Sequence, residues 1–200
     1  MSSQQPDTRE RILKATWKLM EEHQGKGVKM SDIARVAGIS RQALYLHFDS
    51  RTELMAATVQ YVDEVKGLNE RLQVFKTATT GVELLDACIE VWGNYIPEIY
   101  GLARALSSTR DTDEAAAAAW NGCMGCLRDV CQQTIETLDQ EQQLAPSWSV
   151  DEAVAMLWSL LSVNQWEQLV IECGWSMQQY VSRMKSLLRR VFVMQAIVPD

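Results

Sequence analysis

Along most of the chain, apolar residues return at intervals of three and four, and the strict alternation of a half-buried strand is scarce. That period predicts helices from end to end. Ile12, Leu13, Trp17, Leu19 and Met20 supply the apolar faces of a first helix, which Thr8 caps and which reaches Gln24 before Gly25 and Gly27 end it. A short helix over 31–37 stops at Gly38, and another starts after Ser40 and ends near Phe48. Asp49 and Ser50 open a long helix from about Arg51 to Phe75. Further helices are expected over 81–96, 98–108, 112–140, 150–172 and 176–196. Pro97 separates the first two of these, and Gly174 separates the last two. The expected fold is all-α.

The last two helices differ in pattern. Met177, Tyr180, Val181, Met184, Leu187, Leu188, Val191 and Phe192 form one stripe, with Arg183, Lys185, Arg189 and Arg190 elsewhere on the same helix. The helix before it is apolar around most of its circumference, from Val154 through Leu161 and Trp166 to Ile171. A helix of that kind is buried on more than one side. A core face plus a contact with a second copy accounts for it, so a homodimer is expected. Leu161, Trp166, Met184, Leu188 and Val191 are its expected interface.

Composition narrows the class. Hydrophobic residues make up 47% of the 200 and charged residues 22%, which excludes a mainly disordered chain. The richest apolar stretch, 153–163, is broken by Ser159 and Ser162 and is too short for a bilayer. The opening MSSQQPDTRE has no apolar segment and does not read as a secretory signal, so a cytoplasmic protein is expected. Five cysteines at 88, 123, 126, 131 and 173 then read as reduced thiols, and no metal or other cofactor is expected.

The net charge of −7 disfavours nucleic acid until its distribution is considered. Residues 1–55 carry nine Lys and Arg against seven Asp and Glu, whereas residues 56–200 carry ten against nineteen. A mildly basic head on an acidic body suggests two tasks. The domains expected are a three-helix head over 1–55 and a helical body over 56–200.

The head carries the most specific pattern, SDIARVAGISRQALYLHF over 31–48. Two short helices meet at a turn. Ala34 is small where they cross, and Gly38 suits the positive φ of the turn. Ile33, Ala37, Ile39 and Leu44 are placed to lock the angle, and Ser40 can cap the second helix. This is a helix-turn-helix, with Phe48 as a further core residue. The front of such a second helix enters the major groove, where Arg41 can pair with guanine and Gln42 with adenine. Arg51, opening the next helix, and Lys29 are candidates for phosphate.

These residues resemble the head of the tetracycline-repressor family of bacterial regulators. The matching pieces are Ile33-Ala34, Ala37-Gly38-Ile39-Ser40, Leu44-Tyr45-Leu46-His47-Phe48 and Ser50-Arg51-Thr52-Glu53-Leu54. The family commonly has threonine where this chain has Lys29, with Ser31 available to cap in its place. It has lysine where this chain has Arg51, and Arg41-Gln42 stands where Lys-Gly is often found. The resemblance implies phosphate contacts from Tyr45 and His47. It also implies a dimer formed by the last two helices, a palindromic double-stranded DNA operator, a small-molecule effector and repression.

Seven tryptophans are many for this length. Trp92, Tyr95, Trp120, Met124 and Trp158, with Gln165 as a polar handle, are the expected lining of a largely apolar ligand pocket. The same residue types at helical spacing also serve as plain core. Cys123 and Cys126, one helical turn apart, leave open a regulator that senses oxidants. A ligand carrier or enzyme with a vestigial head is the remaining alternative. No nucleophile elbow, phosphate loop or cluster of His and carboxylates points to an enzyme.

Overall fold

The structure is a computed structural model that describes residues 7–194. Twelve helical segments follow one another, and the described residues hold no strand beyond an isolated bridge between Leu144 and Val193. They are α1 (Thr8–Glu22), α2 (Met30–Ala37), α3 (Arg41–Tyr45), α4 (Arg51–Val65), α5 (Leu68–Arg71), α6 (Val74–Thr77), α7 (Gly81–Thr109), α8 (Glu114–Gln140), α9 (Val150–Leu160), α10 (Val163–Trp166), a π-helical turn (Glu167–Glu172) and α11 (Met177–Phe192).

The chain divides into two compact units. The first joins the residues up to Gly67 to a second stretch, Ile99–Cys123. The other holds Leu68–Glu98 and the residues from Met124 onward. The division therefore cuts across α7 and α8, and a boundary at residue 55 would fall inside α4.

In the first unit, α1 to α4 close over Ile12, Leu13, Leu19, Ile33, Leu44, Phe48 and Leu54, each at most 5% exposed. The end of α1 meets the C-terminal part of α7 at close range. Gly25 has φ +75°, and a Cβ there would lie 2.5 Å from the Ala105 carbonyl oxygen. Ser108 donates to the Gln24 carbonyl at 3.0 Å. Gly101 leaves room for Glu21, whose Oε1 would be 2.7 Å from an added Cβ.

In the second unit, small residues again admit close neighbours. A Cβ on Gly93 would stand 2.9 Å from Val181 Cγ2, so α11 lies directly on α7. Gly81 packs against the backbone of Leu138 in the same way. Leu85, Ile89, Ile135, Leu157, Tyr180 and Leu188 fill the interior. Trp148 donates its indole N–H to the Val191 carbonyl at 3.0 Å and packs edge-on against Phe192. A capping box between Ser149 and Glu152 starts α9.

The expected helix boundaries need correction in several places. Asp7 rather than Thr8 precedes α1 at the cap position. The helix expected to reach Phe75 stops at Val65, where Gly67 (φ +68°) turns the chain into two single-turn helices. Pro97 separates nothing, because α7 runs through it. A mid-helix proline costs about 3 kcal/mol. Burial of Tyr95, Ile96 and Leu102 beside it returns about 1.5–3 kcal/mol per side chain, which keeps the helix continuous. The helix expected over 150–172 is broken after Leu160, because the Ser162 hydroxyl accepts from the Gln165 N–H and opens a new turn. The last helix ends at Phe192, and residues 195 and 196 lie outside the described residues.

Two glycines near the end of α1 separate strain from clash. Gly27 has φ +70° with nothing within 4 Å of an added Cβ, so Gly27→Ala should cost about 1–2 kcal/mol. Gly25→Ala carries the same backbone strain plus a collision with the Ala105 carbonyl, and its expected cost is at least about 3 kcal/mol. Urea unfolding of the two variants beside wild type measures the difference, and equal costs would refute the close approach.

Candidate nucleic-acid interface

The turn between α2 and α3 is set by short-range chemistry. Gly38 ends α2 in the left-handed conformation, φ 70° and ψ 35°. The Ile39 N–H reaches back to the Ala34 carbonyl at 3.0 Å, which fixes the exit angle. Ile33, Ala34, Ala37, Leu44 and Phe48 are buried, and Ile39 is half-buried against them. Arg11 of α1 donates to the Ala37 carbonyl at 2.5 Å and so holds the end of α2. The Ser40 hydroxyl accepts from the Ala43 N–H at 3.0 Å and caps α3. That cap matters because α3 is only five residues long.

The residues expected to read DNA lie on the outside of this frame. Arg41 and Gln42 form the first turn of α3, and both are exposed. The Arg41 guanidinium lies 5.7 Å from the Tyr45 ring centroid. Tyr45 is exposed and His47 half-buried. Lys29 is exposed at the cap position of α2, without a side-chain capping bond. Ser31 lies inside that helix, so it does not take over the cap.

Leu46 was not singled out in the sequence, yet it is 86% exposed directly after α3. α3 ends at Tyr45, and Leu46 follows it at the surface.

Arg51 departs most from expectation, because its guanidinium already has anionic and carbonyl partners. Nη2 donates to Asp113 Oδ2 at 2.6 Å, Nε to Oδ1 at 3.5 Å, and Nη1 to the Val28 carbonyl at 2.6 Å. The two side chains are 27% and 23% exposed. Asp113 Oδ1 also accepts from the N–H groups of Ala115 and Ala116, and so caps α8. Burial pushes the Asp113 carboxyl up, but Arg51 and those two amides outweigh it and hold the carboxyl below its ordinary value. At the start of α4, two further amides are taken. The Glu53 N–H goes to the Ser50 hydroxyl, and the Asp49 N–H to the Glu53 carboxylate. Sequence reasoning missed Asp113. Its position before the alanine run signals a cap, but nothing local signals a partner 62 residues away.

The six expected pocket residues do not share one unit. Trp120 is buried in the first unit with Arg110 over its ring. Trp92, Tyr95, Met124, Trp158 and Gln165 belong to the second. There, Trp92 donates to the Leu161 carbonyl at 2.8 Å and Trp158 to the Met124 carbonyl at 3.0 Å. Tyr95 is 1% exposed, with Arg71 over its ring. Met124 and Gln165 are half-buried. An open groove of about 800 Å³ lies instead between α7 and α11, beside Glu90, Asn94, Met177 and Val181. Ion pairs of Lys185 with Glu90 and of Arg189 with Asp86 cross between the same two helices.

The residues expected at a dimer interface are mostly interior. Leu161, Trp166, Met184 and Leu188 are at most 3% exposed within their own chain, and Val191 is half-buried. A side chain already packed inside cannot meet a partner without repacking. The apolar surface that α9 and α11 do present is Met156, 41% exposed, and Leu187, 47% exposed. Leu160 and Val191, each one turn further along, are half-buried.

The cysteines fall into two groups. Cys88 and Cys131 are buried, and the hydrogen bond with Cys88, together with burial, pushes the Cys131 thiol up. Cys123 is half-buried and Cys126 exposed in the interior of α8, and the nearby cation of Arg128 lies over Trp158. Among the described residues, no three of His, Cys, Asp and Glu are grouped to hold a metal ion, and no helix is long and apolar enough to cross a membrane.

Residues 12–58 match the family model for bacterial regulatory proteins of the tetR family. A stretch of 64 residues is 31% identical to the nucleoid occlusion factor SlmA of Marinobacter nauticus, covering 32% of this chain and 33% of that protein. The chain thus spans about a third of that relative. Among solved structures, a regulator from Saccharomonospora viridis in complex with choline has a TM-score of 0.73 at 18% identity, over 96% of this chain and all of that one. The regulator FadR from Bacillus subtilis, in complex with stearoyl-CoA, has a TM-score of 0.72 at 15% identity, over 91% and 98%. These two likenesses are likenesses of fold.

The depressed Asp113 carboxyl has a consequence in acid. Its contribution to stability is present above the unfolded carboxyl value, about 3.9, and is lost as pH falls through the lower folded value. Wild type should therefore be more stable than Asp113→Asn by a constant margin above about pH 5, and the margin should shrink below about pH 4. Urea midpoints from pH 3 to 7 provide the check. A margin that stays flat into acid would show that the pair does not exist in solution.

Proposed function

We infer, from the match of residues 12–58 to the tetR family of bacterial regulatory proteins, that this chain is a dimeric transcriptional repressor released from a palindromic operator by a small molecule. One observation carries the reading. An exposed Arg41-Gln42 pair opens a short helix whose buried side, Leu44, is fixed in a helix-turn-helix core. Arg41 bonds guanine, Gln42 bonds adenine, and Tyr45, His47 and Lys29 meet phosphate. Leu46 adds an apolar contact beside them.

Two heads held by a two-fold dimer suit half-sites about 34–36 Å apart. The surface left on α9 and α11, with Met156, Leu160, Leu187 and Val191, is the proposed dimer face. The structural neighbours contain ligands as different as choline and stearoyl-CoA, which supports a body that takes a small molecule without carrying over its identity. An oxidant-sensing reading through Cys123 and Cys126 is not favoured. Neither thiol stands at a helix N-terminus, and the nearest cation is stacked on Trp158.

Selection of random duplex DNA on the purified protein, at one fixed salt concentration, tests the function. Wild type should enrich a palindrome. Arg41→Ala/Gln42→Ala should retain the fold by circular dichroism and lose the enrichment, since each paired base contact is worth about 1–3 kcal/mol. Equal enrichment by the folded variant would remove these two residues from the reading role, and no enrichment by either protein would count against the function itself.

A further inference from the structure

The Arg51–Asp113 pair is more than a surface ion pair. A carboxylate in fork geometry against a guanidinium occupies the same donors that a phosphate would take. Arg51 stands at the first position of α4, directly after the helix-turn-helix and among the residues proposed to meet the DNA backbone. A third N–H, on Nη1, donates to the Val28 carbonyl, next to exposed Lys29. The competing carboxylate belongs to the four-residue turn and cap between α7 and α8, and it is tied to α8 by the Ala115 and Ala116 amides. A phosphate could take the paired Nε and Nη2 edge of Arg51 only by displacing Asp113.

We propose that Asp113 acts as a built-in substitute for a DNA phosphate, holding Arg51 out of the DNA contact and lowering the affinity of the head until the start of α8 withdraws. This inference rests on the DNA-binding reading above and assigns the regulation of that same site. It makes Asp113 a positioning residue, acting through Arg51 and never touching DNA. The device is economical in charge, because one carboxylate both caps α8 and neutralises a head cation. It also places the control of affinity at the beginning of a helix whose later residues, from Met124, belong to the second unit.

The test uses the full chain and a fluorescently labelled 30-base-pair duplex of random sequence, because phosphate contacts do not depend on sequence. Asp113→Asn keeps an oxygen to cap α8 but loses the charge. Its affinity at 50 mM salt should rise about fivefold, and the slope of log affinity against log salt should steepen by about 0.9 for each head engaged. Glu114→Gln removes an exposed charge one residue away and should leave the slope unchanged. Arg51→Ala should abolish the gain when combined with Asp113→Asn.

Thermal melting of the same samples separates this from a purely structural role. A lower melting temperature with unchanged affinity and slope would overturn the proposal while leaving the DNA-binding function standing. A gain that survives in Arg51→Ala/Asp113→Asn, or that Glu114→Gln reproduces, would reduce it to general charge and overturn it as well. Binding by Asp113→Asn where wild type binds nothing would support it strongly. Binding by neither protein would sink the function and the proposal together.

Discussion

The backbone of Gly25 lies against the Ala105 carbonyl at a distance no other residue permits, and the architecture of the first unit follows from that contact. Left-handed backbone and lack of a side chain are both required there. With Ser108 holding the Gln24 carbonyl, the end of α1 is seated on α7. The helix-turn-helix shares one compact unit with the last part of α7 and the first part of α8.

Within that unit, the side chains proposed to face DNA and those that hold the fold are kept apart. Leu44 and Phe48 point inward, and Arg9 lies over the Phe48 ring at 4.7 Å, closing it from above. Arg41, Gln42 and Tyr45 are left at the surface, where they gain nothing from folding. An exposed cation beside an exposed ring is worth at most about 1 kcal/mol to the fold. Arg51 is the exception. It contributes to the fold through Val28 and Asp113, and its paired Nε and Nη2 edge is the one Asp113 occupies.

How much of this could be read from the sequence depends on the range of the interaction. Gly38 and Ser40 act on neighbours within four residues, and both were legible as turn and cap. The all-helical fold was legible from the three-and-four period. Boundaries failed where tertiary burial outweighed local preference, as at Pro97. They also failed where a hydroxyl made a local cap, as at Ser162, a signal that an apolar pattern does not weigh. The expected dimer residues were ambiguous for another reason. A helix buried on several sides within its own chain has the same pattern as one shared with a partner, so Leu161 and Leu188 could not be told from interface residues. The partner of Arg51 was out of reach, because a sequence does not show which of nineteen carboxylates beyond residue 55 folds back to it.

The uninterrupted course of α7 through Pro97 has a consequence for how this protein can vary. Gly93 must present its bare side to Val181, Gly101 to Glu21, and Ala105 to Gly25, all from one helix. Each residue added to an α-helix turns everything after it by about 100°. A single insertion or deletion between Gly101 and Ala105 would therefore swing Ala105 away from Gly25 while Gly101 stays against Glu21. Substitutions at the exposed positions of this segment leave that phase unchanged. Its length cannot drift, whereas the loop between α8 and α9 can lengthen without changing the phase of any helix.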